Sequence, residues 1–125
     1  MEELRKIIID EVEQRKELEK EIQQIKFSLD DIAHEKKRIE DKIFFEVSSE
    51  KDENGKAVFS NDTLRKSETS NRVSRNPEYA ELLVKEYQMK KKLSDNEIEL
   101  DYLRRRFKSV EYIIELMKLG KWGDD

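Results

Sequence analysis

Three clusters of basic side chains are the groups in this chain best suited to binding something. They are Lys90-Lys91-Lys92, Arg104-Arg105-Arg106 with Lys108, and the run LRKSETSNRVSR from Leu64 to Arg75. That run holds Arg65, Lys66, Arg72 and Arg75 against one acid, Glu68, interleaved with Ser, Thr and Asn. Guanidinium, hydroxyl and amide groups in one place suit phosphate oxygens, so these four cations are candidate contacts for a nucleic acid or a partner protein. Two readings stay open for the run: phosphate contact, or a polar cap on the fold. Stacking aromatics of the kind single-strand binders use occur only at its flanks, as Phe59 and Tyr79. In the two other clusters neighbouring acids nearly balance the bases, and a solvated helix face accounts for them.

Catalytic chemistry has little to work with. Thirty acidic residues are scattered at helical spacing from lysines, as at Glu17, Lys20 and Glu21 or Glu35, Lys36 and Glu40. A solvated charge lattice explains them. His34 is the one histidine and sits in DDIAHEKK, which reads as helix surface. There is no cysteine, so thiolate metal sites and disulfides are excluded, and the three glycines form no phosphate-binding loop. The expectation is a non-enzymatic protein without catalytic residues, metal or cofactor.

The elements that carry these charges follow from composition and period. Charged residues make up 45% of the 125 residues and hydrophobic ones 35%, too few for a thick core. Such a chain is either disordered or built of long exposed helices with one apolar stripe. Periodicity decides for helices. From Leu4, apolar residues recur so that Ile8, Ile22, Leu29 and Ile43 share heptad position a. Leu4, Leu18, Ile25, Ile32 and Ile39 share d, with polar intrusions at Glu11, Arg15 and Lys36. In the second half Tyr79, Leu93, Leu100, Phe107 and Ile114 share a, and Leu82, Met89, Leu103, Val110 and Met117 share d. Glu86 and Asn96 are the polar exceptions there. A sustained 3.5-residue repeat is the mark of a coiled-coil seam.

Between the helices lies KDENGKAVFSND, residues 51 to 62. Asn54-Gly55 signals a two-residue type I′ turn, with Phe45 and Val47 facing Val58 and Phe59 across two short strands. Asn61-Asp62 offers a cap for a short helix. Asn76, Pro77 and Glu78 mark the start of the second long helix, and Gly120 its end. The expected class is mainly all-α: a long antiparallel two-helix coiled-coil hairpin with a small β-hairpin and short-helix connector at the joint. Its expected parts, in one domain over 1–125, are a helix over 3–46, a connector over 47–75, a helix over 77–119 and a tail over 120–125. Antiparallel pairing brings Lys36 close to Glu86, a polar pair that would fix register.

Apolar residues also occur off the seam near both termini. Ile7, Ile9, Ile113, Leu116 and Trp122 form a candidate oligomer contact, alongside the alternative of a small core closing the hairpin's open end. A homo-oligomer, dimer or higher, is expected. The longest apolar runs are three residues, so no membrane span is expected. The N-terminal MEELRK gives no sign of a leader peptide, and a cytoplasmic location is expected.

The run KDENGKAVFSND, then Arg65, then RVSRNPEYAELL and LRRRFKSVEYIIEL resembles a family of small coiled-coil proteins of phages and mobile elements. Those proteins are encoded among replication and recombination genes. The resemblance spans most of residues 50 to 117 and implies an accessory role in DNA metabolism, with no catalytic residue to carry over. The hairpin with strands at its joint is separately similar in architecture to a prefoldin subunit, which implies a chaperone or scaffold. The leading expectation is an oligomeric coiled-coil interaction protein. The alternatives are a nucleic-acid-binding module using the connector's cations and a prefoldin-like holder of unfolded clients.

Overall fold

In a computed structural model, which describes residues 2–123 with side chains through residue 120, the chain is mainly helical. Three helices follow one another: α1 (Glu2–Ser49), α2 (Asp62–Arg75) and α3 (Pro77–Gly123). No strand occurs among the described residues. Neither glycine nor proline interrupts the first 49 residues, and Glu2 and Glu3 complement the positive end of α1.

α1 runs past the expected stop near residue 46 because of Val47, whose side chain is fully buried. Full burial of a valine is worth about 1.5–3 kcal/mol, well above the few tenths its β-branch costs a helix. Phe45 and Val47 are therefore helical and do not pair with Val58 and Phe59 as strand residues. The β-hairpin expected at the joint is reduced to one isolated antiparallel bridge, Lys51 with Ala57.

The turn itself also differs from the two-residue form. Gly55 has φ 77°, whereas Asn54 has a negative φ, and a type I′ turn needs both positive. Asp52 closes a three-residue loop instead. Its carbonyl accepts from Gly55 N at 3.0 Å, and its amide donates to Lys56 O at 2.8 Å. The Asp52 carboxylate accepts from the amides of Asn54 and Lys56, each at 2.9 Å. A Cβ at Gly55 meets nothing within 4 Å, so only backbone strain opposes substitution there. Gly55→Val is expected to cost about 1–2 kcal/mol in chemical denaturation, and Gly55→Asn, which tolerates this conformation, less than about 1. Equal stability of all three proteins would show that the turn contributes nothing to the fold.

Capping residues set α2 and the start of α3. Asn61 is extended, and its side chain accepts from Leu64 N at 2.9 Å. Asn76 stops α2, donating its amide to Val73 O, and starts α3 by accepting Tyr79 N at 2.9 Å with its side chain. Pro77 supplies the first helical residue, where no backbone donor is missed.

Two compact units form. In the first, Met1–Lys26 with Lys91–Asp125, the buried hydrophobic residues are Ile22, Ile25, Leu100 and Leu103. Here Glu11 faces Arg106 at 2.8 Å, Glu19 faces Arg104 at 3.7 Å and Glu21 faces Lys92 at 3.0 Å. In the second, Phe27–Lys90, Ile39, Ile43, Val47 and Val73 pack together with Phe59, Tyr79 and Leu82 against them. Here Lys36 meets Glu86 at 3.0 Å, and Tyr79 donates its hydroxyl to Glu40 at 2.7 Å. Within each unit, partners on α3 fall in number as those on α1 rise. The apolar residues that the heptad reading assigns to the seam are buried or half-buried, apart from Met117.

Candidate interaction surfaces

The connector cations do not form one free basic patch. Arg65 donates from Nε to the Phe59 carbonyl at 3.1 Å and lies 3.2 Å from Asp62. Arg72 reaches Glu50 at 2.6 Å and Glu68 at 2.9 Å, with its guanidinium 5.8 Å from the centre of the Phe59 ring. Glu50 first, then Glu68, holds the Arg72 pKa above its ordinary value. These two arginines tie α2 to the chain that precedes it. Lys66 and Arg75 are exposed and make no ion pair among the described residues. Lys66 lines an open groove of the second unit together with Phe44, Val73, Tyr79 and Leu83.

The other basic clusters are largely engaged by acids. Lys90 lies 3.6 Å from Glu86, and Arg105 lies 2.9 Å from Asp101. The Lys92 ammonium, with the Asn96 amide second, lowers the Glu21 pKa below the usual carboxylate range. Lys36 does the same to Glu86. The carboxylate of Glu40 beside Tyr79 pushes the phenol up to about 12, so Tyr79 stays a hydrogen-bond donor at neutral pH. His34 is exposed, its Nδ1 2.7 Å from the Asp30 carbonyl one turn earlier. Among the described residues no three His, Asp or Glu side chains are grouped to hold a metal ion.

No family model, curated protein or solved structure matches this chain. Its surfaces must speak through their own chemistry. Ile7, Ile9, Ile113 and Leu116 are 41%, 56%, 49% and 49% exposed, so they do not close into a small core of their own. Trp122 lies outside the residues whose side chains are described. Tyr112 and Leu119 extend the exposed apolar surface of α3. No helix is long and apolar enough to cross a membrane among the described residues.

Four further apolar residues of α3, Val84, Tyr87, Ile98 and Tyr102, are also well exposed, and the seam reading gives them no role. Their signal in the sequence is the same repeat displaced by about half a turn of helix.

Proposed function

We propose that the chain is a non-enzymatic coiled-coil interaction protein that works as a homo-oligomer. In this reading α1 and α3 pair as an antiparallel hairpin and the connector reverses the chain between them. The opposed order of ion pairs along α1 and α3 in each unit supports that pairing. The observation that carries self-association is the exposure of Ile7, Ile9, Ile113 and Leu116 on a chain that buries few apolar residues elsewhere. An apolar surface of this kind gains free energy when a second copy covers it. An accessory role in phage or mobile-element DNA metabolism is the setting that the resemblance over residues 50 to 117 implies, and the cytoplasm is the location that goes with this reading.

The engagement of Arg65 and Arg72 by Asp62, Glu50 and Glu68 weighs against direct nucleic-acid binding. Only Lys66 and Arg75 of the four remain to release counterions from a phosphate backbone, so weak, salt-sensitive binding is the most they would support.

Light scattering tests the reading. The parent protein is expected to show a mass above one chain, and the double variant Ile113→Lys, Leu116→Lys a folded monomer with unchanged helix content. A variant that keeps the parent mass would remove these residues from the contact. A monomeric parent at every concentration would end the oligomer reading.

A further inference from the structure

α3 carries two apolar stripes on opposite faces. At about 100° per residue, Val84, Tyr87, Ile98, Tyr102, Ile113 and Leu116 fall within roughly 60° of one line along the helix. Leu100, Leu103 and Phe107 lie on the opposite side and are buried or half-buried. The six outer residues are 45% or more exposed, from Ile113 and Leu116 at 49% to Tyr87 at 70%. A helix apolar on both sides is normally covered on both sides, and α1 covers only one.

Resting on the self-association proposed above, we infer that this outer face pairs with the same face of a second copy, α3 against α3, antiparallel and centred on Leu100. The order of residues on the face argues for this occupant. Equidistant from Leu100 stand Ile98 and Tyr102, then Asp95 and Arg105, then Lys91 and Ser109, then Tyr87 and Ile113, then Val84 and Leu116. A two-fold axis at that point sets each residue against its counterpart in the other copy. Apolar meets apolar three times. Asp95 of one copy meets Arg105 of the other, and the symmetry makes that ion pair twice. Both side chains are exposed, and Asp95 has no ion-pair partner among the described residues. Arg105 lies 2.9 Å from Asp101 one turn away and is 80% exposed, so it is free to turn outward. Parallel pairing in register would instead set Asp95 against Asp95 and Arg105 against Arg105, which is repulsive.

Charge exchange tests the pairing by sedimentation equilibrium at low ionic strength, with circular dichroism to confirm that each variant stays helical. Asp95→Arg alone and Arg105→Asp alone each turn two attractive contacts into two repulsive ones. Each is expected to weaken the dimer about tenfold or more. Mixing the two variants makes both contacts complementary again and restores association to within a few-fold of the parent. Failure of the mixture to recover, or parent-like association of both single variants, overturns the pairing. Parent-like charge variants alongside a monomeric Ile113→Lys, Leu116→Lys variant would leave self-association standing and remove this geometry alone. A parent protein that never associates overturns both.

Discussion

Replacing Ile39 with alanine is expected to lower the unfolding free energy by about 3–4 kcal/mol. Ile39 is 3% exposed, in a cluster with Ile43 and Val47 of α1 and Val73 of α2, and Phe59, Tyr79 and Leu82 pack against that cluster. Truncation removes the transfer free energy of three carbons and leaves a cavity walled by all three helices and the connector. Helix backbones locked by Asn61 and Asn76 cannot easily slide in to fill it. Leu29→Ala makes the contrast. Leu29 occupies the same kind of seam position but is only half-buried, so its loss is expected to cost about 1–2 kcal/mol less. Urea denaturation, with slope and midpoint both measured, separates the two. A cost below about 1 kcal/mol for Ile39→Ala would mean that the three-helix cluster is not the stability centre of its unit.

Much of this arrangement is legible in the residues, because a 3.5-residue period survives any local noise. The seam from Leu4 to Ile43 and from Tyr79 to Val110 is buried or half-buried where the period puts it, and the two polar intrusions Lys36 and Glu86 do meet at 3.0 Å. What escapes the pattern is decided by contacts distant in sequence. Val47 keeps α1 helical past its β-branched and serine residues because Val73 and its neighbours bury it. Arg72 reads as a free cation beside Glu68 alone, yet Glu50, twenty-two residues earlier, completes its pairing. Gly55 reads as a turn glycine, but with a negative φ at its neighbour Asn54 the loop is the longer, three-residue form. The outer face of α3 hides for another reason. Two stripes half a turn apart cancel each other's amphipathicity, so neither stands out when the helix is weighed as a whole.

Glu11→Leu is expected to raise stability by about 1–2 kcal/mol, although it removes an ion pair. Glu11 holds a seam position in the first unit and is 4% exposed. Arg106 Nε approaches one carboxylate oxygen to 2.8 Å, but neither oxygen has an aligned hydrogen bond. Arg15 Nε is likewise buried without an aligned partner, while its guanidinium lies 5.3 Å from the centre of the Phe107 ring. A buried carboxylate so poorly served costs more in lost hydration than one half-exposed arginine returns, whereas leucine suits the seam. Arg106→Ala should go the other way and lose about 2 kcal/mol, because it strands the carboxylate with no close cation. The cycle closes the test. In the Glu11→Leu background, Arg106→Ala should cost less than about 0.5 kcal/mol, since nothing charged is left for the arginine to serve. Equal costs in the two backgrounds would show that the pair is not coupled, and a less stable Glu11→Leu would show that the carboxylate is satisfied after all. If the gain appears, the natural Glu11 is retained against stability, and its use lies in register. Leucine there would let α1 slide by a heptad, which a buried charge beside Arg106 forbids.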